Sequence, residues 1–140
     1  MYDIRLAAPA DWPAWNALDG RVSRALFERK CASGECYVAE DGGNPVGILR
    51  WNRFWDEVPF CTLLMVGDAY RGKGLGRALM ERWEGDMRAA GHGMVMTSTQ
   101  ADETAQHFYR RLGYRDAGGF VVDIPGYAQP LELIMIKGLE

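Results

Sequence analysis

Residues 70–77 read Tyr-Arg-Gly-Lys-Gly-Leu-Gly-Arg. Glycine lets a backbone turn tightly and lets a ligand reach the main chain with no Cβ in the way. An apolar run at 62–66 precedes this stretch, and a helical pattern follows it to about residue 90. A helix starting here presents unpaired N–H groups and a partial positive charge. A strand, a glycine loop and a helix in that order make a site for phosphate. Little else in the chain competes for chemistry. Cys31, Cys36 and Cys61 form no Cys-x-x-Cys pair, and there are only two histidines, His92 and His107. No metal site is expected from so few ligands.

Spacing separates the phosphate loops. A Walker loop needs a hydroxyl after its Gly-Lys, and Gly74 stands there instead of the Mg²⁺ ligand. A dinucleotide fingerprint needs two residues between its last two glycines, and only Leu75 separates Gly74 from Gly76. A third pattern is Gln or Arg, two residues, Gly, one residue, Gly or Ala; Arg71, Gly74 and Gly76 fit it. In this the stretch resembles the pyrophosphate loop of the GCN5-related N-acetyltransferases (GNAT). The bland alternative is a basic glycine-rich turn. A second motif speaks for the resemblance: Asp102, Ala105, Phe108, Tyr109, Leu112, Gly113 and Tyr114 follow the family's Asn-x-x-Ala-x-x-Phe-Tyr…Gly-Tyr pattern, one helix and one strand downstream.

The resemblance implies an α+β fold, with a twisted mixed sheet whose central parallel strands (60–66 and 94–97) splay apart and whose faces carry helices. It implies a single N-acetyltransferase domain over residues 1–140 that uses acetyl-CoA. Met65 and Val66 would pair with the pantetheine arm. Arg71, Gly72, Lys73, Gly74, Leu75, Gly76 and Arg77 would hold the pyrophosphate, with Asp102 also at the cofactor. Asp102 departs from the family's usual Asn, and a carboxylate cannot donate as an amide does. Tyr109 matches the general acid that protonates the leaving thiolate, and packing beside Phe108 is its structural alternative. The acceptor would be a small-molecule or peptide amine, attacking the thioester directly. No base is apparent: Thr62, Leu63 and Leu64 occupy the strand where some relatives carry Glu, and Asp56 and Glu57 are the nearest acids. That gap keeps a second reading open, a non-catalytic acyl-CoA-binding or sensing module. A Mg²⁺-dependent nucleotide hydrolase is weakened by Gly74.

The elements that must position these residues follow from periodicity. A strand is expected at 2–7, then a helix capped by Asp11 and another at about 22–32 stopped by Gly34. Strands at 37–40, 46–53 and 59–66 read as an antiparallel meander. Leu75, Leu79, Trp83 and Met87 give the main helix its apolar stripe, with Glu84 and Arg88 as an exposed ion pair. A strand at 94–97 runs parallel to its predecessor across that helix. Asp102 caps a helix with Ala105, Phe108 and Leu112 inward, and strands at 121–122 and 131–137 close the chain.

At 140 residues with 48% apolar and 25% charged residues, the chain suits one globular domain. Its net charge of −3 offers no basic surplus for nucleic acid. No apolar run spans a membrane, and no secretory signal is expected from an N-terminus with Asp3 and Arg5, so a reduced cytoplasmic protein is expected; a homodimer is compatible with this. The acceptor side is assigned to the hairpin where Trp51, Phe54, Trp55 and Phe60 crowd around Asp56 and Glu57. Aromatic walls beside carboxylates suit a cationic amine, and a tryptophan-rich core edge is the alternative.

Overall fold

The computed structural model describes residues 2–140. The chain runs β1 (Asp3–Leu6), α1 (Trp12–Leu18), α2 (Arg24–Ala32), β2 (Cys36–Asp41), β3 (Asn44–Phe54), β4 (Val58–Val66), α3 (Leu75–Ala89), β5 (Met94–Gln100), α4 (Ala105–Arg111), β6 (Arg115–Val122) and β7 (Gln129–Gly138). This is the element order expected from the sequence. The strands form one mixed sheet in the order β1-β2-β3-β4-β5-β7-β6. Two compact units are distinguished: Met1–Asn52 with Thr62–Asp86, and Arg53–Cys61 with Met87–Glu140.

In the first unit the strands alternate as the pleat requires. Cys36, Val38 and Ile48 face one way and join Trp15, Val22 and Phe27 of the α1–α2 region, with Leu63 and Met65 packed against them. Phe27 lies between Trp12 and Trp15, with centroid separations of 5.5 and 4.9 Å. The opposite face meets α3. A Cβ on Gly47 would come within 3.3 Å of Leu79 Cδ1, so glycine there lets the helix approach β3 closely. Trp51 and Trp83 lie tilted against each other at 6.3 Å.

Local chemistry departs from expectation at several helix positions. Asp11 stands at the N-cap of α1, but its carboxylate turns back to the Ala8 N–H and takes two bonds from Arg5, all at 2.8 Å. Arg5 accordingly holds Asp11 below the usual carboxylate range. The second helix starts at Arg24, and its cap is Ser23, whose Oγ accepts the Leu26 N–H at 3.1 Å. Ser23→Ala should cost about 1 kcal/mol, read as a lower urea midpoint at unchanged slope. Glu84 is buried rather than solvent-facing, because Met80 widens the apolar stripe to the side that Glu84 shares. Arg77–Glu81 at 3.5 Å and Arg82–Asp86 at 3.1 Å are pairs of the exposed face. Asp19, also buried, takes bonds from Trp15 Nε1 at 3.2 Å and Arg50 Nε at 3.0 Å.

In the second unit, β5 pairs with β7 antiparallel from Met94↔Gly138 to Gln100↔Glu132. β4 and β5 pair in parallel at Phe60↔Met96 and Cys61↔Thr97. β6 is an edge strand and is exposed along most of its length. α4 opens at Thr104 with no side-chain cap, so Asp102 does not cap it. No helix among the described residues is long and apolar enough to cross a membrane.

Candidate active site

The end of β4 hands the chain to the glycine loop through a short 3-10 turn at Asp68–Tyr70. Gly72 and Gly74 take φ of +74° and +82°, and a Cβ at either would meet no heavy atom within 4 Å. Glycine is therefore needed for the backbone path, and the space beside the loop is open. The first helical bond at this end runs from Ala78 N to Gly74 O at 3.0 Å. Among the described residues, the N–H groups of residues 72–77 donate to no protein acceptor. Six consecutive free donors at the positive end of a fifteen-residue helix need an anion or water. Lys73 adds its ammonium, held 5.7 Å from the centre of the Tyr70 ring. Arg71 Nε donates to the Val66 carbonyl at 3.3 Å, and its Nη2 lies 3.1 Å from Asp68. These groups fit the pyrophosphate of CoA: open space, main-chain donors and cations at one turn. Met65 is part-buried on the α1–α2 core.

Tyr109 sits on α4 in the second unit and is 7% exposed. Its ring packs edge-on to Phe108 and Tyr114, with centroids 5.2 and 5.8 Å away. Thr97 is a close neighbour of its hydroxyl. Thr97, buried on β5, donates its own Oγ1 proton to the Cys61 carbonyl at 3.0 Å. Burial pushes the Tyr109 phenol well above its ordinary value, with the nearby Cys61 and Glu103 adding in the same direction and Thr97 opposing. The phenol thus keeps its proton at neutral pH. Glu103, whose charge reaches this hydroxyl, was not singled out from sequence as a site residue. Only the turn that bonds its N–H to Gln100 O at 3.0 Å brings it near. Asp102 is exposed in that same turn.

The hairpin between β3 and β4 divides the acceptor candidates. Trp51 is 2% exposed, with Nε1 bonded to Gly34 O at 3.2 Å, so it belongs to the core rather than to an acceptor wall. Trp55 is 75% exposed. Trp55 and Asp56 both take φ of +58°, and Glu57 N closes the turn on Phe54 O at 3.1 Å. A bulky residue with positive φ is strained, and such strain collects at working surfaces. Phe54 lies tilted against Trp55 at 4.7 Å and stacks on Phe60 at 6.1 Å. Glu57 lines an open groove of about 280 Å³ with Val58, His92 and Met94. Glu57 directly precedes β4, four residues before Cys61.

The remaining polar groups are quiet. Burial pushes the Cys31 thiol up to about 11 and Cys36 to about 12, which suits structural thiols. His107 is exposed, with Nδ1 3.5 Å from Arg110. No cluster of metal-binding side chains is found among the described residues.

A family model described as an acetyltransferase (GNAT) domain matches residues 32–116, more than half of the chain, and includes both motifs. The chain belongs to the GNAT acetyltransferase family. Solved structures agree on the GNAT fold. The ribosomal-protein-S18-alanine N-acetyltransferase of Escherichia coli is 20% identical, with a TM-score of 0.81, covering 100% of this chain and 95% of that one. The ribosomal-protein-alanine N-acetyltransferase of Brucella melitensis is 22% identical, with a TM-score of 0.83 over 98% and 99%. The yncA protein of Salmonella typhimurium, solved with its cofactor acetyl-CoA, is 20% identical, with a TM-score of 0.82 over 100% and 95%. Among curated protein sequences nothing matches this GNAT chain.

Proposed function

We propose that residues 1–140 act as one N-acetyltransferase domain that moves the acetyl group of acetyl-CoA to a primary amine by direct attack, as a monomer or homodimer in the cytoplasm. The observation that carries this reading is the run of free N–H donors at residues 72–77, on a loop of the GNAT pattern. Residues 71–77 bind the pyrophosphate, the backbone of Met65 and Val66 receives the pantetheine arm, and Asp102 lies at the cofactor. Bound acetyl-CoA supplies an acyl group on an activated thioester.

Tyr109 gives its proton to the departing sulfur. A thiol has a pKa of about 8.5 and a free phenol about 10, so this transfer is uphill by about 2 kcal/mol before burial is counted. The incoming amine, with a pKa near ~10.4 if it resembles lysine, must lose a proton, either to Asp56 or Glu57 as the nearest carboxylates or to a chain of waters. Binding of CoA, read as a rise in melting temperature that Mg²⁺-ATP does not reproduce, tests the cofactor assignment.

The acceptor is an amine with a cationic or peptide portion long enough to reach the hairpin. Trp55, Asp56 and Glu57 hold that portion. Two of the solved structures compared are named as protein-alanine acetyltransferases, which makes peptide N-termini part of the acceptor class to try. Asp56→Asn or Glu57→Gln should raise the acceptor KM severalfold and leave the acetyl-CoA KM near its original value. If neither does so, or the preferred acceptor is anionic, the hairpin is not the recognition surface.

A further inference from the structure

β6 ends the sheet, with β7 on one side and no strand on the other. An edge strand leaves its outer N–H and C=O groups unpaired, and proteins ordinarily shorten such edges, cover them or set charges along them. Here seven of the eight residues are exposed, and the middle of the strand is apolar. Successive side chains point to opposite faces, yet Phe120 is 48% exposed and Val121 70%, so neither face is covered there. Leu131 of β7 is exposed beside them: a Cβ on Gly119 would stand 3.3 Å from its Cδ1. Charges stand only near the ends, at Arg115, Asp116 and Asp123. Arg110 holds Asp116 at 2.9 Å. Among the described residues, the exposed side chains of Arg115 and Asp123 take part in no ion pair or hydrogen bond.

We propose that β6 is a self-association edge, to which a second copy of this chain adds its own β6 antiparallel across a two-fold axis at Gly119. Arg115 lies four residues before Gly119 and Asp123 four after it. This register therefore sets each Arg115 opposite Asp123 of the other copy and closes an ion pair at both ends. Between the ends, Ala117 meets Val121, and Gly118 meets Phe120, whose ring covers a glycine with no side chain of its own. Gly119 meets its own counterpart, where no side chain holds the two backbones apart. Parallel pairing in register would set Arg115 on Arg115 and Asp123 on Asp123, and like charges directly opposite are unfavourable. The register shift between Asp116 and Gly119 sharpens the local twist and keeps the joint short. A two-fold pair uses both β6 edges and closes at two chains. The joint needs neither cofactor nor acceptor, so self-association and acetyl transfer succeed or fail separately.

Sedimentation velocity over a concentration series, on the full chain without ligand, is the experiment. The chain should pass from its 15.7 kDa monomer to twice that mass as concentration rises. Arg115→Asp and Asp123→Arg, each alone, should weaken the dimer about ten-fold, since each turns two attractive pairs into two like-charge pairs. Together they exchange the charges and should restore the dimer to within about three-fold. Val121→Lys should leave a monomer. All these positions are exposed, so melting temperatures at low concentration should stay near the original value. A chain that stays monomeric throughout, whether β6 then takes an extended peptide or nothing, overturns the proposal. So does a dimer that ignores these changes, or one that the double reversal fails to restore. Growth past two chains also overturns it, because a closed pair leaves no β6 edge free. If a reversal variant does not fold, Val121→Lys decides alone: a dimer of unchanged strength overturns the interface.

Discussion

Tyr109→Phe is expected to lower kcat by about 10²-fold or more, within the range that general acids supply. The substitution keeps the ring between Phe108 and Tyr114, so the packing and the melting temperature should change little. It removes the only proton that the side chain can give. Because Tyr109 is 7% exposed and its phenol is held above the ordinary range, bulk buffer is a poor substitute at that position. The CoA dissociation constant should stay near its original value, since the N–H donors of the cofactor loop lie at residues 72–77. Single-turnover rates with excess enzyme are the appropriate readout, because product release can mask chemistry in kcat. An unchanged single-turnover rate would return Tyr109 to a packing role.

Gly74→Glu is expected to abolish stabilisation by CoA. A ligand at about 100 times its Kd adds roughly 2.7 kcal/mol, which for a chain of this size raises the melting temperature by about 3 to 6 °C. The variant places a carboxylate in the open space beside the loop and sets it against a phosphate of like charge. It also forces a side chain into φ of +82°. That strain costs roughly 1 to 2 kcal/mol whatever the ligand. Gly74→Ala carries the strain without the charge and should keep part of the CoA response. A Glu variant that retains the full shift would place the phosphate elsewhere.

Much of this was legible in the sequence because it is local. The α3 stripe of Leu75, Leu79, Trp83 and Met87 sets both the helix and its buried face, and all four are buried as expected. The glycines at 72 and 74 announce positive φ, and the structure adopts it. What was not legible depends on neighbours distant in sequence. The Asp11 carboxylate looks like a cap until Arg5 pulls it backward. Trp51 looks like a wall of the acceptor site until Trp83 and the Gly34 carbonyl enclose it. Glu84 looks solvent-facing when only i,i+4 charge spacing is considered. Thr97 carries no motif, and only the parallel register sets it opposite Cys61, whose carbonyl accepts its Oγ1 proton.

The central claim is acetyl transfer to an amine, and release of free CoA thiol in the presence of acetyl-CoA and the amine panel tests it most directly. Thiol release should depend on an amine, saturate with it and yield the acetylated amine by mass. The same release should fall about 10²-fold in Tyr109→Phe. CoA binding without amine-dependent thiol release across amino acids, polyamines and peptide N-termini would contradict it and leave a binding or sensing module in its place.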